Sequence, residues 1–365
     1  MNSVSWIGQF CEGLNQWQIN ILALMVDALL TEQESILSHL AGHLTEVNDV
    51  ALKHCTKRIN RFLGNDNFDD EAVTQGIIDM IWPRLHCWNL IPVIIDWTPN
   101  EKRNEWKSLF AEIPLKGRGI PLMSWSFPKD GLGGYLSQNK LERDFVRKLF
   151  SMLPDDDRIV LVGDRGFARA SFFSFLDEMG IDFIIRVPMN VWVECDQHTG
   201  ELGELSIRGK ELYSLTNLLY HKEKRIPLKK VVVSHDDVVK DDGTIDPWFL
   251  ATNKNIRPAP ATGVYGKRMT IEEDFKEAKS HLGCSDCRIR KTDHYNRFTT
   301  VLILALVFAV LVGTVVHRRP TLLRKVSRMK GGKPDTSMTF AGLKLLRRGL
   351  INLKLLMRCR LYNPL

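Results

Sequence analysis

Apolar residues fall at helical spacing through roughly the first 85 residues, and after that the period changes. Trp17 to Leu30 is an apolar-rich run, Thr31 is placed to cap a helix through His39, and Thr45 to cap another through Leu63. On the last of these, Lys53, Lys57, Asn60 and Arg61 fall within about 100° of one another at about 100° per residue, so one face is basic. Such a face is either solvated or part of a helix-turn-helix-like unit that contacts DNA. From Trp88 the pattern becomes short, β-rich apolar runs: Leu90–Trp97, Trp106–Ile113, Ile120–Phe127, Ile159–Gly163 and Phe183–Val187. Between them lie two helical stretches, Leu141–Leu153 closed by Pro154 and Ala168–Met179 closed by Gly180.

Three strands followed by helix, strand, helix and strand define a mixed α/β domain, and the order fits an RNase H-like core. Residues 189–250 break that rhythm with Asp, Gly, His and Lys clusters around short strands such as Lys229–Ser234 and Trp248–Thr252, which reads as an inserted β-rich subdomain. Arg257-Pro258-Ala259-Pro260 reads as a linker into a long helix from about Val264 to Leu282. Phe298 to Val316 is nineteen residues without a charge. It reads as a buried core helix, with a membrane span as the alternative because the length suffices. The expected organisation is a helical DNA-end-binding domain over 1–85, the core over 86–188 and 251–317, the β-rich insertion over 189–250, and a basic C-terminal region over 318–365.

Composition adds little until charge is located along the chain. Of 365 residues, 44% are hydrophobic and 25% charged, which suits a globular protein with a large core and excludes a disordered or repetitive one. The net charge is only +7, yet residues 318–365 hold thirteen Lys or Arg against Asp335 alone, leaving about −5 for the rest. That tail suits phosphate contact, or its amphipathic run Phe340–Leu361 suits a dimer contact with the cations outward. Seven scattered cysteines fit a reducing compartment. Cys284 and Cys287 read as two reduced thiols rather than half of a zinc site. The start lacks the basic region and cleavage site of a secreted precursor, so a cytoplasmic protein is expected.

The candidate chemistry is acidic. Val93-Ile94-Ile95-Asp96 and Val160-Leu161-Val162-Gly163-Asp164 each run apolar into a carboxylate, as strand ends at the ligand-binding edge of a sheet do. Either Asp alone could be a cap or a hard-cation ligand. Tyr265, Arg268, Glu272 and Lys279 follow at i, i+3, i+7 and i+14, within about 60° on an ideal helix, beside an apolar stripe of Ile271, Phe275, Ala278 and Leu282. Three carboxylates can hold two Mg²⁺ ions about 3.5–4 Å apart for phosphodiester chemistry, with cations alongside for the flanking phosphates. An exposed Glu272–Lys276 or Glu272–Arg268 pair would explain the same spacing without a metal.

The motif Tyr-x2-Arg-x3-Glu-x6-Lys at Tyr265, Arg268, Glu272 and Lys279 resembles the YREK signature of the bacterial insertion-sequence-four group of DDE transposases. Asp96-Trp97-Thr98, Gly163-Asp164-Arg165-Gly166-Phe167 and Trp248-Phe249-Leu250-Ala251-Thr252-Asn253 extend the likeness over about residues 50–320, and Lys267-Arg268-Met269 with Ile271-Glu272-Glu273 is similar to the transposase of transposon ten. The resemblance implies an RNase H-like fold with a β insertion and two Mg²⁺ ions, or Mn²⁺ in their place, held by Asp96, Asp164 and Glu272. Tyr265, Arg268 and Lys279 would lie on DNA phosphates. It also implies cut-and-paste transposition: a nick, a hairpin, hairpin opening and strand transfer. The partners would be double-stranded DNA, as terminal inverted repeats and target, and a second copy of the chain in a homodimer; no membrane is expected. Trp248 would receive a base pulled from the stack, although a strand Trp is also a common core residue. Met269 departs from relatives that carry a second Trp there, which leaves an apolar wedge rather than a two-aromatic clamp. A DNA-binding protein that has lost cleavage, or an RNase H-like nuclease, is the alternative.

Overall fold

The computed structural model describes residues 3–99, 106–129, 131, 137–205, 211–234, 247–331 and 333–347. Helices open the chain: α1 (Ser3–Ile7), α2 (Gln16–Glu32), α3 (Leu37–Asn48), α4 (Leu52–Leu63) and α5 (Asp70–Ile81). A capping box between Asn15 and Gln18 starts α2, and Asp69 caps α5 through the Glu71 and Ala72 amides. Thr31 and Thr45 are not caps. Thr31 lies in the last turn of α2, and Thr45 lies within α3, its hydroxyl donating to the Ala41 carbonyl at 3.0 Å. Burial of Leu40, Ala41 and Leu44 sets where α3 lies, so packing overrides the cap signal.

The expected succession then appears in order: β1 (Ile91–Pro99), β2 (Trp106–Pro114), β3 (Gly119–Pro128), α6 (Gln138–Met152), β4 (Ile159–Gly163), α7 (Ala170–Glu178) and β5 (Phe183–Val187). Strands β6 (Trp192–Cys195), β7 (His198–Glu201), β8 (Leu212–Tyr220), β9 (Ile226–Ser234) and β10 (Trp248–Thr252) follow. Next come α8 (Pro258–Tyr265), α9 (Met269–His281), α10 (Thr292–His317), α11 (Pro320–Val326), a small hairpin of β11 (Met329–Lys330) and β12 (Lys333–Pro334), and α12 (Met338–Arg347). The remainder of the amphipathic run Phe340–Leu361, from residue 348 on, lies outside the described residues.

Two compact units form, which among the described residues comprise 3–87, 97–154 and 270–347 in one and 88–96 and 155–269 in the other. In the second unit the strands hydrogen-bond in the order β1-β4-β5-β10-β9-β8-β6-β7. β1, β4 and β5 are parallel, and β10 pairs antiparallel with both β5 and β9. The strands from 189–250 thus extend this sheet through β10. Their register is set by apolar alternation, with Val231, Val232, Val233, Phe249, Leu250 and Ala251 all buried.

In the first unit α10 is the core. The helix is long and apolar enough to span a membrane, and its apolar window is wholly buried within the protein. It packs against α2, β3 and α12, which accounts for a helix apolar on every side. β2 and β3 form an antiparallel hairpin with a bulge between Ala111 and Glu112.

Candidate active site

Parallel pairing of β1 with β4 matches Ile91 to Ile159 and Ile94 to Val162. The same register continued two residues past the paired stretch sets Asp96 level with Asp164 on neighbouring chain segments spaced about 4.8 Å; Asp164 directly follows β4, whereas Asp96 lies within β1, which runs on to Pro99 rather than ending at the acid as the sequence suggested. Ligands gather at the carboxyl edge of a parallel sheet. Asp164 caps the 3₁₀ turn Arg165–Phe167 by accepting from the Gly166 amide at 2.8 Å. The fully buried Phe167 ring comes so close to Gly163 that a Cβ there would meet it at 3.1 Å. The Gly-Asp-Arg-Gly-Phe motif is therefore the local geometry that aims this carboxylate.

Asp96 accepts a hydrogen bond from Arg268 Nη1 at 3.0 Å, with both side chains largely buried. Arg268 also hydrogen-bonds the Tyr265 phenol, whose pKa is raised above its usual value. Burial is the main cause, and the Asp164 charge works with it, whereas Arg268 and Arg186 pull the other way. Trp248 packs edge-on against Tyr265, ring centroids 5.0 Å apart. Asp96, Asp164, Tyr265, Arg268 and Trp248 therefore share one neighbourhood in the second unit. Arg186 belongs with them and was not singled out in the sequence. Its signal was there, a lone cation inside the apolar strand Phe183-Ile184-Ile185-Arg186-Val187.

The helix read over 264–282 is not continuous. It is three pieces, α8, the 3₁₀ turn Gly266–Arg268, and α9. The ideal-helix angle that put Tyr265, Arg268, Glu272 and Lys279 on one face therefore does not apply, because a 3₁₀ turn advances about 120° per residue rather than 100°. Arg257 to Pro260 is not a linker either: Arg257 is the N-cap of α8 and Pro258 its first residue, where the missing N–H is harmless.

Glu272 and Lys279 sit on α9 in the first unit. Ile271, Ala278 and Leu282 are buried as the stripe predicts, but Phe275 is only half-buried and Asp274 and Glu277 are buried instead. Their partners explain it. Asp274 accepts the Gly119 amide at 2.7 Å and faces Glu112, which accepts the Thr270 hydroxyl at 2.6 Å. Burial first, then Glu112, pushes the Asp274 carboxyl well above the carboxylate range. Arg118 reaches Glu277 at 2.8 Å, and Ser337 donates to the same oxygen. These polar contacts tie the helix bearing Glu272 to the β2–β3 turn and to the start of α12. Lys279 lines a small apolar recess with Phe110, Phe275 and Tyr295, near the Cys284 thiol, which burial pushes up to about 11.

Residues 136–308 match the family model of the transposase DDE domain. The match takes in Asp164, Trp248, Tyr265, Arg268, Glu272 and Lys279, and it begins after Asp96. A comparison with curated proteins gives no match. The family match supports a DDE transposase, an enzyme class that binds DNA and generally uses divalent metal ions. A mixed sheet flanked by helices fits the RNase H-like core of such a domain. Asp96 and Asp164 supply hard oxygens on adjoining strands, the donor chemistry that a divalent ion of this kind takes. Among the described residues no group of three or more His, Cys, Asp or Glu is drawn together into a ready metal cage.

Proposed function

We propose that the chain is a cut-and-paste DNA transposase of the insertion-sequence-four type, akin to that of transposon ten. In this reading Asp96, Asp164 and Glu272 hold two Mg²⁺ ions. The observation that carries the proposal is the register of β1 on β4, which brings Asp96 level with Asp164 at the sheet edge, with Arg268, Tyr265 and Trp248 beside them. Glu272 follows Arg268 by four residues, lies in the first turn of α9, and is the third donor proposed. Bound divalent ions would supply an activated water or 3′-hydroxyl and stabilise the leaving oxygen.

The protein's own groups do the rest. Arg268 covers Asp96, and its guanidinium is the group proposed for a phosphate at the cleavage point. Tyr265 remains a neutral phenol at ordinary pH and donates a hydrogen bond without adding charge. Trp248 offers an indole face for a base displaced during hairpin formation, and the half-exposed Met269 suits an apolar wedge. The reaction order is nick, hairpin, hairpin opening and strand transfer, with two copies pairing two DNA ends. A cytoplasmic site of action follows from the substrate.

The test is incubation of the protein with Mg²⁺ and a labelled duplex from the DNA flanking its own gene, read on a denaturing gel. Nicks and hairpins are expected. Asp96→Asn, Asp164→Asn and Glu272→Gln should each abolish them while leaving DNA binding within a few-fold of normal. Full cleavage by any one of the three removes that residue from the site. Arg268→Ala and Lys279→Ala should weaken the complex and each lower the salt slope of binding by about 0.9.

A further inference from the structure

The first unit holds a cavity of about 410 Å³ between α5, β3, α6 and α10. Neither Asp96, Asp164, Glu272 nor any other residue given a role in cleavage lines it. Its volume falls in the range that takes small organic ligands. Were the lining wholly apolar, the space would be a packing defect. Instead Ile77, Leu122, Leu141 and Ile303 share it with the carboxyl of Asp70 and the hydroxyl of Ser124.

Both polar groups have unmet demands. Asp70 accepts the Thr300 hydroxyl at 2.6 Å, and among the described residues it makes no ion pair. Arg297, whose charge bears on it from α10, is hydrogen-bonded to the Leu63 carbonyl and to Asp66. Burial pushes the Asp70 carboxyl up to about 6, and Asp69 and Glu71 on α5 push the same way against Thr300 and Arg297 on α10. Two cations reach the cavity from α6, and each is taken: Lys140 pairs with Asp144 at 2.9 Å, and Lys148 pairs with Glu71. Asp70 is thus the acid of this cavity without a counterion. On β3, Ser124 Oγ is buried and has no hydrogen-bond partner. The half-buried Trp125 and Phe127 add aromatic surface, to which a cation is attracted.

These features select among occupants. An anion would meet Asp70 and Glu71. A metal ion wants several oxygen donors, and among the described residues no such group is gathered. Water would solvate the polar groups and leave the apolar walls wet, and a wholly apolar ligand would leave Asp70 and Ser124 unpaired. We infer that this cavity is a binding site for a small organic cation, a protonated amine on an apolar or aromatic body. The ammonium pairs with Asp70, the body lies against Trp125, Phe127 and the aliphatic wall, and Ser124 meets a polar atom of the ligand. The site stands independently of the chemistry assigned to Asp96.

The experiment titrates the full chain, free of DNA and divalent metal, with tryptamine and with its neutral isostere tryptophol, by calorimetry and by melting temperature. Tryptamine should bind saturably with a dissociation constant below about 1 mM, and tryptophol at least about tenfold more weakly. Asp70→Asn should weaken tryptamine about tenfold or more and leave tryptophol within about twofold. Ser124→Ala should weaken tryptamine by about threefold at most, with no loss of melting temperature. Because Asp70 takes up a proton near pH 6 while the amine stays charged, lowering the pH from 7 to 5 should weaken tryptamine binding to wild type about tenfold. Tryptophol binding should not follow. Absence of saturable tryptamine binding, equal affinity for the two compounds, or a tryptamine titration unchanged in Asp70→Asn overturns the inference. If Asp70→Asn fails to fold, the wild-type pH profile decides, and a flat one overturns it. None of these readings involves DNA, so the cleavage assignment is tested apart from them.

Discussion

Asp70 shows how one buried carboxyl writes itself into the pH dependence of folding. It lies in the first turn of α5, accepts the Thr300 hydroxyl at 2.6 Å, and is pushed by burial up to about 6, with Thr300 and Arg297 opposing. The folded protein therefore holds this proton more tightly than the unfolded chain, whose value is near 3.8. Stability falls as pH rises from about 4 to about 6 and stays flat above, a penalty of up to about 3 kcal/mol at neutral pH. Asp70→Asn keeps an acceptor for Thr300 and removes the charge. It should unfold at higher urea than wild type at pH 7 and at nearly the same urea at pH 4. Equal midpoints at both pH values would show that Asp70 is not strained by burial. Tyr265 makes a second prediction at this scale. With its phenol raised by burial, Tyr265→Phe should reduce cleavage by about tenfold at most and leave the shape of the rate profile between about pH 7 and 9 unchanged.

At the scale of elements, close approach of backbone decides more than side-chain pattern does. α10 and α12 cross at Gly313 and Gly342: a Cβ on Gly313 would lie 1.9 Å from the Met338 carbonyl oxygen, and one on Gly342 would lie 1.9 Å from that of Ala309. Gly313→Ala or Gly342→Ala should each destabilise by about 3 kcal/mol, read as a lower urea midpoint. Gly263→Ala, in α8 with nothing within 4 Å, should instead stabilise by up to about 1 kcal/mol. Nothing in residue type distinguishes the two sorts of glycine, which marks the boundary of what the sequence could convey. The strands leading to Asp96 and Asp164 were legible because a short apolar run depends only on local order, although β1 continues past Asp96 to Pro99. The break after Tyr265 was not, because nothing in the spacing of residues 264–282 separates a 3₁₀ turn at Gly266–Arg268 from a continuous helix. Asp274 and Glu277 were also hidden. A carboxylate on an otherwise polar helix looks solvated until Glu112, the Gly119 amide and Arg118 are found against it, and those lie about 160 residues earlier in the chain.

For the whole molecule, the proposed chemistry places like charges where folding alone would separate them. The register of β1 on β4, continued past Ile94 and Val162, sets Asp96 level with Asp164, and the Arg268 guanidinium sits on Asp96. Removing a cation from such a pair leaves a charged group half-buried, whereas supplying one relieves repulsion, so divalent ions should act as a ligand of the folded state. By mass action, Mg²⁺ at ten times its dissociation constant adds about 1.4 kcal/mol, and at a hundred times about 2.7 kcal/mol. The melting temperature should therefore climb by a few degrees as Mg²⁺ is titrated, and fall back on chelation. Asp96→Asn and Asp164→Asn should each flatten that titration; Asp164→Asn should melt at or above the metal-free wild type, whereas Asp96→Asn, which leaves the largely buried Arg268 without its carboxylate, should melt below it. Ca²⁺ should reproduce the stabilisation, because oxygen donors accept it, and it serves as a probe of binding when no DNA is present. Stabilisation by Mg²⁺ that persists undiminished in the Asp164→Asn protein would locate the ion elsewhere, and the cleavage assignment would have to move with it.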